Sequence, residues 1–167
     1  MGQDYTKHNL LFISKYPQII HEFTDAMKDR DIEIETAING IEAAAKIKKK
    51  NYDVVITGLS LEGYNGEQII TYLNKTAPST VCIIYTTTIS SAQLHFFINE
   101  RNVFRVFLRP VDFRGAFWET LEEAYEYHAV QVKNEEDTGA RRQEQEKQER
   151  EIEIMDQRMR SQRQARE

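Results

Sequence analysis

Five short apolar runs, each the length of one strand, alternate along the chain with segments whose apolar residues recur every three or four positions. Leu10-Leu11-Phe12-Ile13 is the first run and is unbroken. Ile32–Thr36 alternates more, as a strand near a sheet edge does. Val54-Val55-Ile56, Val81-Cys82-Ile83-Ile84-Tyr85 and Val103–Leu108 complete the set. Between them, Ile19, Ile20, Phe23 and Met27 fall on one helical stripe. Ile41, Ala44, Ala45 and Ile47 fall on a second, which starts at Asn39-Gly40. Ile69, Ile70 and Leu73 mark a third helix, closed before Pro78, and Leu94, Phe97 and Ile98 mark a fourth. Phe117, Leu121, Ala124 and Tyr125 share one face of a fifth, running from Phe113 to about Val132.

Unbroken apolar strands are buried on both faces, and single helices between them return the chain to a parallel neighbour. Right-handed crossovers leave few topologies. The pattern therefore predicts an α/β fold, a doubly wound five-stranded parallel sheet of order 2-1-3-4-5. In such sheets ligands meet the carboxyl ends of the strands. Ser14-Lys15, Thr57-Gly58, Thr86-Thr87 and Arg109-Pro110 lie there.

Composition changes near residue 133. Every aromatic residue and every proline precedes it, and more than half of residues 134–167 are charged. This predicts a head over 1–133 and a tail over 134–167 that cannot bury a core of its own. The net charge is −5, and neither part has the basic excess of a nucleic-acid binder. One cysteine excludes a disulfide framework and a cysteine-based zinc site. The four histidines have no ligand spacing, so neither metal nor other cofactor is expected. No apolar run approaches a membrane span, and no secretory segment follows Met1, so a cytoplasmic protein is expected. Met1-Gly2 with Thr6 matches the short N-myristoylation pattern. It lacks the polybasic patch or second anchor that stable attachment takes.

In its order and spacing the head resembles a response-regulator receiver domain, a fold of the flavodoxin and CheY-like kind. Asn9–Pro17 sits where receivers have an apolar strand, two acidic residues and often a proline. Ala37–Ala43 resembles the start of their second helix, and Tyr52–Gly66 their third strand and its loop. Arg109-Pro110 falls where they have Lys-Pro. The resemblance covers about Asn9 to Val132 and implies a two-component signalling module.

The family's reaction, as the resemblance implies it, uses Mg²⁺ held by the acidic pair and by an aspartate ending strand 3, which is the phosphoacceptor. By position the acidic pair is Ser14 and Lys15, and the phosphoacceptor is Gly58. The hydroxyl after strand 4 is Thr86, the lysine is Arg109, and the aromatic switch on strand 5 is Val106. Mg²⁺ needs hard oxygen ligands, usually with a carboxylate among them. An ammonium repels it, and glycine has no side chain to phosphorylate. These residues therefore describe a degenerate pocket, a pseudo-receiver with no catalytic residue. Lys15 and Arg109 also turn the pocket cationic. One consequence is an anion site for phosphate, a nucleotide or a partner carboxylate, formed with the Ser14 and Thr86 hydroxyls. The alternative to such a site is that Glu62 or Asp112 swings in and pairs these cations.

Ile98–Val106, Arg109-Pro110 and Ala124–Tyr127 resemble a receiver subset with a long fifth helix. The resemblance implies a signalling partner or output domain, in that subset often related to cyclic-di-GMP. The exposed surface of helix 4, strand 5 and helix 5 is the usual receiver dimer surface. Phe96, Phe104, Phe113, Trp118 and Tyr127 are its candidate aromatic contacts. Cys82 reads as a core thiol, and Tyr125 and Tyr127 cannot both face the core.

Asn134–Gly139 predicts a break after helix 5, and Ala140–Glu167 is rich in helix formers. Ile152, Met155 and Met159 follow a/d/a heptad spacing, with Gln145, Gln148 and Gln162 in the adjoining seam positions. A short helical dimer competes with a solvated single helix. The expectation is a parallel homodimer, held jointly by the tail and the helix 4–strand 5–helix 5 surface. The function expected is a phosphorylation-independent module acting by protein–protein interaction. The alternative is a domain sensing a small anion or nucleotide.

Overall fold

A computed structural model describes residues 8–165; the Met1-Gly2 myristoylation pattern lies outside the described residues. The strands are β1 (His8–Ile13), β2 (Ile32–Ala37), β3 (Val54–Thr57), β4 (Val81–Thr86) and β5 (Val103–Leu108). The helices are α1 (Pro17–Met27), α2 (Gly40–Lys49), α3 (Gly66–Thr76), α4 (Ser91–Glu100) and α5 (Ala116–Ala165). All five strands are parallel, in the order β2-β1-β3-β4-β5. This is the doubly wound sheet that the apolar runs predict.

Alternate side chains of each strand enter opposite layers. Leu10, Phe12, Ile56 and Ile83 pack with Phe23, Phe113, Phe117 and Leu121 of α1, the loop before α5, and α5. Leu11, Ile13, Val55 and Ile84 pack with Ala43, Ile47, Ile70, Leu73 and Phe97 of α2, α3 and α4. Phe12 stacks on Phe23 with ring centres 4.2 Å apart, and Phe113 meets Phe23 and Phe117 edge-on. Cys82 is buried in the second layer. Helix starts are set locally. Pro17 opens α1, Asn39 caps α2, and α3 and α4 each begin with a reciprocal capping box.

Two helices present faces other than those expected. In α2 the buried residues are Gly40, Ala43 and Ile47, while Ile41 and Ala45 are exposed. Gly40 decides this: a β-carbon there would lie 1.8 Å from the Tyr64 carbonyl oxygen. The glycine lets the helix start come against that loop, and the inward face follows from it. In α4 only Phe97 is buried, while Leu94 and Ile98 are each 40% exposed. The helix lies beside the edge strand β5 and buries a single residue.

The chain divides into two compact units between Ala129 and Val130. The expected break at Asn134–Gly139 is absent, for α5 is continuous across it. A glycine inside a helix costs only about 1 kcal/mol relative to alanine. The Glu, Gln, Arg and Lys residues around Gly139 continue the helix at one hydrogen bond per residue. Described residues of the second unit are exposed almost throughout, including Ile152, Ile154, Met155 and Met159.

Candidate functional site

At the carboxyl ends of β1, β3, β4 and β5 the chain leaves the sheet and opens a cleft. Ser14, Lys15, Gly58, Thr86 and Arg109 all line it, with Tyr16, Ser60, Tyr85 and Thr87. Its volume is about 60 Å³. A larger groove of about 600 Å³ runs past α2 and α3, along Ala44, Tyr64, Gln68 and Tyr72. It shares no lining residue with the cleft.

The strand ends are held by the backbone. The Ser14 N–H donates to Ala37, the Gly58 N–H to Ile13 and the Arg109 N–H to Thr86. Arg109-Pro110 is a cis peptide. The Ser14 hydroxyl, itself buried, accepts the Tyr16 N–H at 3.2 Å. Thr86 donates to the Thr88 carbonyl at 3.3 Å. Gly58 is open: a β-carbon there would meet nothing nearer than 3.7 Å. A side chain at this position would therefore have room.

Each cation has found a partner, though neither Glu62 nor Asp112 supplies it. The Lys15 ammonium donates to the Ser60 hydroxyl at 3.3 Å and lies 5.2 Å from the Tyr16 ring centre. The Arg109 guanidinium sits 4.7 Å from the centre of the Tyr16 ring and 5.9 Å from that of Tyr85. Asp112 instead accepts the Arg114 N–H at 2.9 Å. Cation–π contact places both cations at one exposed ring. Burial pushes the Tyr85 hydroxyl up, and the neighbouring Arg109 only partly opposes this.

Magnesium does not fit this donor set. The cleft offers hydroxyls and carbonyls but no carboxylate at Ser14, Lys15 or Gly58, and it carries two positive charges. Among the described residues no group of three or more His, Cys, Asp or Glu side chains could hold a metal.

Residues 11–115 match the family model for the response regulator receiver domain. The chain belongs to the response regulator receiver family. Among solved structures it is similar to the signal receiver domain of an HD domain-containing protein from Pseudomonas fluorescens Pf-5. That match has a TM-score of 0.70 and 18% identity, over 74% of this chain and 98% of the other. A CheY-like receiver domain protein from Methanospirillum hungatei JF-1 has a TM-score of 0.68 and 18% identity, over 75% and 99%. An adenylate cyclase from Rhodopirellula baltica has a TM-score of 0.71 and 19% identity, over 78% and 96%. At these identities the likeness is one of fold. No curated protein matches the chain.

Val106 on β5 is partly buried against the second core layer. Of the candidate contact aromatics, Phe113 is core. Phe96 and Trp118 are partly buried, and Arg101 and Arg30 lie over their rings. Phe104 and Tyr127 meet at 5.2 Å, with Tyr127 exposed. Leu94 and Ile98 on α4 and Leu108 on β5 are exposed apolar residues as well. Tyr125 is buried, its hydroxyl donating to the Asn9 carbonyl. The sequence reading missed Tyr16 as the ring shared by both cations. Its one signal was its place between Lys15 and Pro17. No helix among the described residues is long and apolar enough to cross a membrane.

Proposed function

We propose that this receiver signals without aspartyl phosphorylation, by docking to other proteins and by self-association. The observation that carries the reading is the pairing of Gly58 with Lys15 in one cleft. The phosphoacceptor position has no side chain, and an ammonium stands where a magnesium ligand would be needed. The reading assigns no reaction to the cleft. Self-association uses the apolar surface of α4, β5 and α5, and the tail offers Ile152, Met155 and Met159 as a second, separate docking contact. The partner is another signalling protein or an output domain, in a cytoplasmic setting. Incubation with acetyl phosphate and Mg²⁺ tests the reading. Intact-mass measurement should find no phosphoryl adduct, and a stoichiometric adduct on any residue would remove it.

A second reading is supported by two cations that share one aromatic ring beside the Ser14, Ser60 and Thr86 hydroxyls. Such a cleft suits a small oxyanion, as phosphate or as part of a nucleotide. Calorimetry with phosphate and with nucleotides separates it from pure docking. Heat on titration that is lost in Lys15→Ala and Arg109→Ala favours sensing.

A further inference from the structure

In the second unit, α5 carries one apolar seam that no described residue covers. Ile152, Met155 and Met159 are 67%, 62% and 54% exposed. With these at a, d and a, the remaining heptad positions are fixed. Glu144, Glu151 and Arg158 fall at g, and Glu149, Asp156 and Arg163 at e. In a parallel pair of helices each g residue meets the e residue of the next heptad on its partner, and these contacts select the partner.

A second copy in parallel register places Glu144 against Glu149, Glu151 against Asp156, and Arg158 against Arg163. All three contacts join like charges, and two-fold symmetry repeats each of them. Asp156 is partly compensated by Arg160 on its own helix at 3.0 Å. The Glu144–Glu149 and Arg158–Arg163 conflicts have no such relief among the ion pairs of the described residues. An antiparallel copy gains Glu151 against Arg158 but sets Glu149 against Asp156. Neither orientation satisfies the flanks with the chain's own sequence.

We propose that the tail is one half of a heterotypic parallel coiled coil. Its occupant is a helix of another protein with an apolar a/d seam. That helix carries Lys or Arg opposite Glu144, Glu149, Glu151 and Asp156, and Asp or Glu opposite Arg158 and Arg163. Gln145, Gln148 and Gln162 lie in the seam on either side of the apolar layers and fix the register by pairing with polar residues. This replaces the tail's share in the homodimer expected from the sequence and leaves the head surface free to self-associate. The inference stands whether or not the head accepts phosphate, which the mass measurement decides separately.

The test uses the full chain and two synthetic three-heptad peptides with the same apolar seam. One has the complementary flank charges and the other has them exchanged. The complementary peptide should bind about tenfold more tightly or better. Equal binding, or preference for the exchanged peptide, would overturn the proposal. Sedimentation gives the second arm. The variant Glu144→Lys/Glu151→Lys/Arg158→Glu turns all three self-contacts attractive. It should strengthen the dimer by about tenfold or more, and adding Met155→Ser should cancel the gain. A wild-type dimer that is lost on changing Ile152, Met155 and Met159 to serine, and not strengthened by the charge variant, would make a second copy the occupant and refute the proposal.

Discussion

His128 on α5 holds the start of β3: its Nε2 lies 3.1 Å from a carboxylate oxygen of Asp53, 75 residues earlier in the chain. Its Nδ1 lies 2.8 Å from the Ser79 carbonyl oxygen. Asp53 also receives the Asn9 N–H at 3.4 Å, and His8 lies 3.8 Å away, stacked on Tyr125. This joint sits at the opposite end of the sheet from the cleft and ties the fifth helix to two central strands.

The joint makes stability depend on acid in a defined way. Burial pushes the Asp53 carboxyl up, but the His128 hydrogen bond and charge, the Asn9 amide and the His8 charge outweigh it. The net direction is down from 3.8. A carboxyl depressed in the folded state contributes fully above its unfolded value and loses that contribution as pH falls through the folded value. Asp53→Asn should therefore cost about 1–2 kcal/mol at pH 7, the roughly 1.5–3 kcal/mol of a hydrogen bond to a charged group reduced by solvent screening at this partly exposed carboxylate. The difference from wild type should shrink below pH 3.8. Urea unfolding of both proteins at the two ends of this range measures it. An equal difference at both would show that the charge is not involved.

Two glycines of the cleft region should behave oppositely. A β-carbon at Gly66 would lie 2.2 Å from the Gly58 carbonyl oxygen and 3.0 Å from the Leu59 Cα, both backbone atoms that cannot turn aside. Gly66→Ala should lower stability by about 1–3 kcal/mol, as overpacking does. Gly58→Asp should fold, because its β-carbon has room, and its carboxylate would face Lys15 and Arg109. The same variant should remain unphosphorylated by acetyl phosphate and Mg²⁺ while Ser14 and Lys15 are unchanged. Thermal melts and intact mass read the two effects, and a phosphorylated Gly58→Asp protein would show that the basic neighbours do not block the reaction.

The helix through Gly139 gives a third expectation. Nothing lies within 4 Å of the position a β-carbon would take there. Gly139→Ala should stabilise this part of α5 by about 1 kcal/mol and leave the head unchanged. Slower amide exchange around residues 135–143, with unaltered exchange in β1 and β3, is the expected result. Unchanged exchange on both sides of residue 139 would argue for a helix interrupted there.

What the sequence disclosed and what it hid have separate physical causes. The strands were legible because a parallel sheet is buried on both faces, so Val54-Val55-Ile56 carries no polar interruption. The cleft was legible because chain order fixes which residues follow each strand, and Ser14, Lys15, Gly58, Thr86 and Arg109 do converge. The faces of α2 and α4 were not, since the first depends on how closely Gly40 meets Tyr64 and the second on burial at a sheet edge. The Asp53–His128 contact joins residues too far apart in sequence for any local pattern to pair them. Tyr16 escaped notice because a ring's service to two cations depends on where strands 1 and 5 end, which periodicity does not specify.

The head surface supplies the last expectation. Leu94 and Ile98 on α4 are each 40% exposed, Leu108 on β5 is 50% exposed and Tyr127 on α5 is 44% exposed. None of the four belongs to either core layer. Isolated exposed apolar residues are ordinary, but these lie on three consecutive elements, beside an edge strand whose outer side no other strand among the described residues covers. Covering such a surface with a second copy removes apolar area from water at about 25 cal/mol per Å². Arg105, paired with Glu123 at 3.5 Å, supplies a polar rim. Changing Leu94 and Ile98 to glutamate should therefore lower self-association by about tenfold or more without reducing the melting temperature of the head. The same change should leave binding of the complementary peptide to the tail unaltered. Sedimentation at several concentrations, with a thermal melt on each sample, checks both statements. A wild-type chain that stays monomeric at about 100 μM, the affinity range of weak contacts, would assign this surface to a different protein.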